Sequence, residues 1–128
     1  MIVVDTSVWV STLRSAASPE AAAFTSLLDA DEIALPAPVR TELLAGVSAK
    51  DRAALGRALS AIPVLYPTDD TWRLIDKWTE RTGRAGQRFG LGDLLIAALA
   101  QEAGALVWSL DQDFVRLEKL RLVERYDP

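Results

Sequence analysis

The sequence predicts an α/β fold, in which a short central parallel sheet of about four to five strands is covered by helices on both faces. Three observations support this prediction. The apolar runs are short, they alternate along the chain with segments of helical character, and no repeat, low-complexity tract or linker interrupts them. A chain of 128 residues, of which 50% are hydrophobic and 25% charged, also suits one globular domain. We therefore expect a single domain over residues 1–128.

The first half of the chain contains three predicted strands, which are short apolar runs at residues 2–4, 33–35 and 62–65. Pro63 places the third run at a strand start or a sheet edge. Ser18, Pro19 and Glu20 predict a helix start, because a hydroxyl cap, a proline at the first helical position and an acid in the first turn favour one. This helix is expected to stop near residues 29–31. Two more helices are predicted, one ending near residue 46 and one spanning about residues 50–60.

The second half begins with a helix that Thr68 caps and that Gly83 is expected to end. Its apolar stripe consists of Trp72, Ile75 and Trp78, and we expect the tryptophans to pack in the core or a dimer interface rather than to stack on nucleobases. A loop and then four further elements are predicted. They are the loop at residues 84–90, an apolar helix at 91–103, a strand at 105–109, a short helix opening at 110–114 and an edge-like strand at 122–123.

Four carboxylates lie where such a sheet would gather them. In an open α/β sheet, ligands bind beyond the carboxyl ends of the strands. Asp5 ends the first strand, Glu42 lies in the first turns of the helix after the second strand, and Asp111 follows the fourth strand by two residues. Asp93 opens the apolar helix that leads into the fourth strand, and it joins the others if that helix runs beside the site. We therefore expect these four acids to form one site.

The residue types that are missing narrow the chemistry of such a site. The sequence contains no histidine and no cysteine, which excludes imidazole and thiolate ligands, a histidine base and a cysteine nucleophile. Converging carboxylates repel each other unless a cation joins them, and carboxylate oxygens suit Mg²⁺ or Mn²⁺. One or two such ions can activate water and stabilise the leaving oxygen in phosphoryl chemistry. The composition therefore favours metal-dependent hydrolysis.

Net charge and sorting signals constrain the function less than the missing residue types do. With 14 basic and 18 acidic residues the formal net charge is −4, which argues against coating of nucleic acid by bulk electrostatics but allows a nuclease with a local basic patch. No apolar run reaches the roughly 20 residues that span a bilayer, and the N-terminus does not resemble a signal peptide. We expect a cytoplasmic protein with no membrane partner.

Four segments of the sequence resemble the motifs of the PIN-domain family, in order and at normal spacing. In the first, at residues 1–9, an aspartate ends a strand and a small hydroxyl residue follows two positions later; the others lie at residues 38–43, 92–98 and 109–114. Each motif alone is weak, whereas the four together are specific and cover essentially the whole chain. The resemblance implies a PIN-like nuclease domain with Asp5, Glu42, Asp93 and Asp111 as its acids.

Within that family, the short chain without an extra domain is most similar to the VapC-type toxins of toxin–antitoxin pairs. This similarity implies a Mg²⁺-dependent endoribonuclease, with Mn²⁺ as a substitute, that cuts a structured RNA. It also implies a homodimer and a cognate antitoxin whose C-terminal segment lies across the active site. Relatives often carry a histidine or another residue near the aspartate of the third motif, and its absence here leaves the set of acids intact.

Each acid also has an interpretation that needs no metal. Asp5 and Asp93 suit helix caps, and Glu42 suits the first turn of a helix, where a negative charge is favoured. Acidic pairs elsewhere, such as Asp69 and Asp70, are explained as solvated caps at a helix end. A buried strand that ends in an acid, together with partners at other strand ends, favours the site over separate caps.

Two residues beside the acids are candidates for supporting roles. Asp113 competes with Asp111 for the fourth metal position, and we prefer Asp111 as the ligand and Asp113 as its support. Ser7 is expected to hydrogen-bond an acid or a metal-bound water, although local capping explains it nearly as well.

The notable basic cluster of the chain leads directly into Asp93. It consists of Lys77, Arg81, Arg84 and Arg88, and it runs from a helix end through a glycine-containing loop. Cations at a helix end are the default explanation. Because the loop lies next to the expected site, Arg81, Arg84 and Arg88 are equally candidates for binding RNA phosphates.

Other functions stay open at this point. A haloacid-dehalogenase-like phosphatase would use Asp5 as its nucleophile, but that chemistry needs a second acid where this chain has Ser7. A catalytically inactive binding module would hold a peptide or an RNA, and the complete set of acids argues against it. A dinucleotide-binding module fails, because no G-x-G-x-x-G motif follows the first strand.

Overall fold

The computed structural model describes residues 1–128 and contains one parallel sheet of four short strands. In chain order the strands are β1 (Ile2–Val4), β2 (Ile33–Pro36), β3 (Val64–Leu65) and β4 (Leu106–Trp108). Their order across the sheet is β3-β2-β1-β4, and every neighbouring pair is parallel. In this register Ile2 pairs with Ile33 on one side and with Leu106 on the other. The two-residue β3 lies at an edge, as Pro63 predicts.

Seven helices connect and flank the strands. They are α1 (Thr6–Arg14), α2 (Ala21–Asp29), α3 (Ala37–Ala45), α4 (Ala49–Leu59), α5 (Asp69–Arg84), α6 (Leu91–Glu102) and α7 (Gln112–Lys119). Every crossover between neighbouring strands passes through helices, which is the connection that parallel pairing requires. The structure has no helix that combines the length and the apolar character needed to cross a membrane.

The sheet is packed on both faces. Every residue of β1 and β2 is buried, and Val3 and Val4 have no exposed surface. Since successive side chains of a strand point to opposite faces, complete burial means that helices cover both sides of the sheet. The core comprises 26 buried residues, among them Trp9, Trp78 and Trp108. The predicted α/β fold is confirmed, with four strands.

The last predicted strand, at residues 122–123, is wrong. Arg121 has a φ of 60°, which turns the chain sharply after α7. Leu122 and Val123 then enter the core, with only 2% and 9% of their surface exposed. The pairing that follows is a single bridge between Val107 and Arg125. The apolar pair therefore reflects core packing rather than strand pairing.

Two helix ends also differ from the prediction. α2 begins at Ala21 rather than at the predicted cap, because the N–H of Ala21 donates to the carbonyl of Ser18 at 3.1 Å and closes a turn before the helix. α5 continues through Gly83 and ends at Arg84, and Gly86, two residues later, has a φ of 70°, which suits a residue without a Cβ atom. Local composition identified the region of each end but not the residue.

The buried face of α5 differs from the predicted apolar stripe at Trp72. Ile75 and Trp78 are buried as expected, whereas the side chain of Trp72 is 43% exposed. The inward position next to it belongs to Thr71, which is fully buried and donates its hydroxyl proton to Glu102 of α6 at 2.6 Å. A partly buried hydrogen bond between two helices thus occupies the inward position beside Trp72.

The chain changes its direction of winding at β1. From β1 it proceeds through β2 to β3 on one side, and β4 is later added on the other side of β1. The crevice between the carboxyl ends of β1 and β4 is therefore a topological switch point, where open α/β sheets bind ligands. Asp5 and Ser109 follow these two strands directly.

Candidate active site

Asp5 lies at the switch point, between the end of β1 and the start of α1. Its surface is only 7% exposed. Its Oδ2 accepts two hydrogen bonds, from the hydroxyl of Ser7 at 2.8 Å and from the hydroxyl of Ser109 at 2.7 Å. A buried carboxylate requires such partners. Because both donors engage the same oxygen, Oδ1 is left for a ligand.

Both hydroxyls are oriented by the backbone between β4 and α7. The N–H of Leu110 donates to Ser7 Oγ at 3.0 Å, and the N–H of Asp111 donates to Ser109 Oγ at 3.0 Å. A hydroxyl has one proton to donate and accepts through its lone pairs. Since the backbone N–H groups occupy the accepting side, each hydroxyl proton is directed to Asp5.

Three further carboxylates converge at the amino ends of α6 and α7. One oxygen from each of Asp93, Asp111 and Asp113 lies within 4.8 Å of the other two. Asp93 stands in the first turn of α6, and Asp111 caps α7 by accepting the N–H of Asp113 at 2.9 Å. Asp111 is exposed, whereas the other two are partly buried. This spacing suits one cation that joins the three, and we name Asp93, Asp111 and Asp113 the acid cluster.

Crowding raises the pKa of Asp93 from its ordinary value of 3.8 to about 7. Burial of the carboxyl is the largest cause, followed by a hydrogen bond with Asp113 and by the negative charges of Asp111, Asp113 and Asp5. The contribution of Asp5 shows that the acid at the switch point lies within electrostatic reach of the acid cluster. A cation held by these carboxylates would offset the crowding and favour the ionised form of Asp93.

Asp113 has a cationic partner one turn further along α7. Arg116 donates from Nη1 to Oδ1 of Asp113 at 2.8 Å. The same guanidinium donates from Nη2 to the carbonyl of Arg88 at 3.1 Å and lies 4.2 Å from the centroid of the Phe89 ring. Arg116 thus joins α7 to the loop that precedes α6.

Glu42 lies at the margin of this site. It is exposed on α3, and its Oε1 is 3.8 Å from the position that a Cβ atom on Gly92 would take. This places its carboxylate beside the residue that precedes Asp93, but outside the acid cluster. The fold therefore brings the four acids proposed from the sequence to one end of the sheet, and it places Asp113 in the same cluster as Asp111.

Two residues at the site were not singled out by the sequence. Ser109 reads locally as the end of a strand, and its bond to Asp5 spans 104 residues of chain, so no local pattern could reveal it. Arg116 carried a usable signal, because residues three apart on a helix face each other and Asp113 precedes it by three. Its contacts with the loop before α6 depend on the tertiary fold alone.

The basic residues proposed from the sequence are exposed. They are Lys77, Arg81, Arg84 and Arg88. Arg81 donates to a backbone carbonyl at the end of α7, and Arg84 makes an ion pair of 3.9 Å within α5. Arg88 accepts the hydrogen bond from Arg116 through its carbonyl, and its own side chain remains exposed. Of these four residues, Arg88 is therefore the one most directly connected to the acid cluster, through Arg116.

The acids do not line either of two cavities beside β4. The first, about 490 Å³, lies near the amino end of β4 and is bordered by Leu106 and Arg121. A second, of about 290 Å³, borders Ser109 and Leu110 but none of the carboxylates described above.

The chain is similar to members of one family along nearly its whole length. The family model of the PIN domain matches residues 2–120. The VapC ribonuclease Mb1587 of Mycobacterium bovis is 34% identical over 119 residues, which cover 89% of this chain and 89% of that protein.

Solved structures agree with the sequence relatives. VapBC-5 from Mycobacterium tuberculosis, a member of the VapBC family of toxin–antitoxin systems, contains a chain that is 27% identical, with a TM-score of 0.69 and coverage of 98% of this chain and 97% of that one. VapBC2 from Rickettsia felis, bound to a DNA fragment of its promoter, contains a chain of the same fold, with a TM-score of 0.78, 19% identity and 98% of each chain covered. By sequence, fold and length of match, this chain belongs to the PIN-domain family.

Proposed function

We propose that this protein is a metal-dependent endoribonuclease and the toxin of a VapBC-type toxin–antitoxin pair. One observation carries the proposal: the acid cluster converges within 4.8 Å, with Asp5 in electrostatic reach, at the switch point of a PIN fold. Relatives that share about a third of its residues are named VapC ribonucleases. The proposed reaction is hydrolysis of RNA phosphodiester bonds.

The donor set fits Mg²⁺, with Mn²⁺ as a substitute, because both ions favour carboxylate oxygens. Asp5, Glu42, Asp93 and Asp111 would hold the metal, with Asp113 beside Asp111. The raised pKa of Asp93 supports a cation here, since burial and its acidic neighbours disfavour the charged form of this carboxyl. Once bound, the metal supplies an activated water and charge stabilisation at the phosphate.

The side chains around the acids keep these oxygens in place before any ligand arrives. Ser7 and Ser109 hold Oδ2 of Asp5, and the N–H of Asp113 holds Oδ1 of Asp111. Fixed ligands lose little entropy and need little rearrangement when a cation binds. We infer that the two serines act as positioning residues for Asp5, which is the role expected for Ser7 from the sequence.

The end of α5 and the loop before α6 would hold the RNA. The exposed cations there are Arg81, Arg84 and Arg88. Arg116 connects the carbonyl of Arg88 to Asp113, because its guanidinium donates to both. Replacing Arg84 and Arg88 together by Gln should weaken RNA binding and reduce its salt dependence, because fewer counterions are released. Mg²⁺ affinity should persist in this double variant, and unchanged RNA affinity in a gel-shift titration would sink the assignment.

The partners are proposed from the relatives. Structures of similar chains are VapBC toxin–antitoxin assemblies, which supports a cognate antitoxin for this protein. The C-terminal segment of this antitoxin would cover the acids and exclude the metal or the RNA. A homodimer and a cytoplasmic location stay predictions, to be checked by light scattering and cell fractionation.

Cleavage of total cellular RNA tests the proposal. The purified protein would be incubated with Mg²⁺ or with EDTA, beside the variants Asp5→Asn and Asp93→Asn. Asp76→Asn is the matched control, because this aspartate is exposed on α5 and has no hydrogen-bond or ion-pair partner. We expect discrete cuts that require Mg²⁺, Asp5 and Asp93 and that persist in the control.

The competing functions give different results in the same assay. Cuts that survive in Asp5→Asn and Asp93→Asn would indicate a contaminant and contradict the proposal. Absence of cuts together with retained RNA binding would favour a catalytically inactive binding module. A phosphoaspartate trapped on Asp5 would favour the haloacid-dehalogenase-like alternative, although Ser7 stands where that chemistry needs an acid.

A further inference from the structure

We propose that Arg116 is a positioning residue that holds Asp113 in the acid cluster and ties the loop before α6 to that cluster. The inference rests on the proposed function and deepens it. Its basis is that one side chain makes three contacts, with Asp113 at 2.8 Å, with the carbonyl of Arg88 at 3.1 Å and with the ring of Phe89 at 4.2 Å.

The first contact sets the orientation of a carboxylate. The guanidinium engages Oδ1 of Asp113, which leaves Oδ2 for a cation or for Asp93. Three carboxylates within 4.8 Å repel one another in the absence of metal. The guanidinium of Arg116, held on Oδ1 of Asp113, offsets this repulsion. It also prevents the side chain of Asp113, which is already 37% exposed, from turning further to solvent.

The other two contacts join the elements that carry the acids. Arg88 and Phe89 precede Asp93 by five and four residues, whereas Asp113 stands in the first turn of α7. Arg116 therefore bridges the segment that leads into α6 and the first turn of α7. Besides the hydrogen bond between Asp93 and Asp113 themselves, this bridge is the side-chain connection that fixes the two acids relative to each other.

The shape of arginine matters for this role. A planar guanidinium donates two hydrogen bonds from different nitrogens while its face lies on an aromatic ring. The ammonium of lysine has the same charge but cannot make these three contacts together. Arg116→Lys therefore separates geometry from charge, and Arg116→Gln removes the charge as well.

The test is calorimetric titration of Mn²⁺ into the folded protein without RNA. Loss of positive charge alone would tighten cation binding in Arg116→Gln, whereas loss of orientation would weaken it. We expect a Kd about tenfold higher in both Arg116→Lys and Arg116→Gln, since residues that orient metal ligands typically change affinity by 10- to 100-fold. We also expect faster amide exchange over residues 85–90, and a lower kcat on RNA.

The chain offers a close control. Arg73 pairs with Asp70 in the same i, i+3 arrangement at 2.7 Å, on α5 and outside the acid cluster. Arg73→Gln should leave Mn²⁺ affinity and loop exchange unchanged. Phe89→Leu keeps every charge and removes the stacking surface, so it should show part of the loss, and it carries the test if Arg116→Gln does not fold.

The outcomes distinguish this inference from the proposed function. Wild-type protein that neither binds Mn²⁺ nor cuts RNA would overturn both. Wild-type protein that does both, beside an Arg116→Gln variant with equal or tighter Mn²⁺ binding, would overturn only the role of Arg116. Full recovery of affinity by Arg116→Lys would likewise overturn it, because charge rather than geometry would then be sufficient.

Discussion

The crowding of the acids changes the pKa of Asp93. Burial and three neighbouring carboxylates raise the pKa of Asp93 to about 7. In the proposed metal site, a cation would therefore compete with a proton for this carboxyl. Asp5 is handled differently, because Ser7 and Ser109 donate to it directly. On binding the proposed metal, Asp93 would have to lose a proton, whereas Asp5 already has an oxygen, Oδ1, free to act as a ligand.

The raised pKa predicts how stability depends on pH. The folded protein binds a proton on Asp93 up to about pH 7, whereas the unfolded chain releases it near 3.8, so this group lowers stability as pH rises from about 4 to 7. Asp93→Asn cannot ionise. At pH 8 without metal, it should therefore be more stable than wild type by roughly 1–2 kcal/mol, after allowing for solvent screening.

Thermal unfolding at pH 5 and pH 8 measures this difference. The gain in Tm of Asp93→Asn should be several degrees at pH 8 and clearly smaller at pH 5, where only part of the change between about pH 4 and 7 has occurred. An equal gain at both pH values would mean that the substitution acts through packing and not through the charge of Asp93.

Ser109 allows a test of how Asp5 is held. Ser109→Ala removes one of the two donors to Oδ2 of Asp5 and the acceptor for the N–H of Asp111. We expect Mg²⁺ affinity to fall about tenfold, because the carboxylate is less well oriented. Ser60→Ala is the control, since that hydroxyl bonds only a carbonyl at the end of α4. Equal Mg²⁺ affinity of the two variants in calorimetry would contradict the assignment.

At the scale of elements, short connections deliver the acids. Asp5 directly joins β1 to α1, and only residues 109–111 separate β4 from α7. Such connections leave little freedom, so a carboxylate at a strand end is directed into the crevice. α6 reaches the same place differently: it packs on α5, on α3 and on both β1 and β4, and these contacts carry Asp93 to the site.

The contact between α5 and α6 predicts a stability change. Thr71 is fully buried, accepts the N–H of Thr68 at 3.0 Å and donates to Glu102 at 2.6 Å. Thr71→Val keeps the shape but removes both hydrogen bonds, one of them to a charged carboxylate, which should cost about 1–3 kcal/mol. Thr79→Val is the control, because that exposed hydroxyl bonds only the carbonyl one turn earlier. Urea unfolding of the two variants should give clearly separated midpoints, and coinciding midpoints would refute the role of Thr71.

For the whole molecule, the order β3-β2-β1-β4 decides where chemistry can occur. The sheet has one switch point, and residues from both ends of the chain meet there: Asp5 and Ser7 from the beginning, Ser109 and Asp111 from near the end. A ligand bound at this point therefore connects distant parts of the sequence and should stabilise the entire fold.

Metal should accordingly raise the unfolding temperature of the whole domain. Mg²⁺ at a hundredfold excess over its Kd should add about 2.7 kcal/mol to the free energy of unfolding, since only the folded chain presents the site. EDTA should reverse the effect, and Asp5→Asn should respond much less than Asp76→Asn. A Tm that Mg²⁺ does not change in wild type would count against the metal site itself.

Most of the fold followed from local patterns. Apolar runs, proline positions and caps located all four strands of the sheet and the course of the helices, because strand and helix periodicity are properties of a few adjacent residues. The structure differs from the prediction where packing in the core outweighs the preference of the local sequence. Leu122 and Val123 were predicted as a strand but fill the core. Trp72, predicted to pack in the core or a dimer interface, is exposed, and the buried position beside it belongs to Thr71.

The sequence by itself determined the α/β class, the acids at the strand ends and the absence of any imidazole or thiolate donor. Tertiary structure alone decided that Ser109 bonds Asp5, that Asp113 joins the cluster with Asp111, and that Arg116 reaches the loop before α6. The physical reason is distance along the chain. Residue type and periodicity are local, whereas hydrogen bonds and charge repulsion act through space between residues that only the folded sheet brings together.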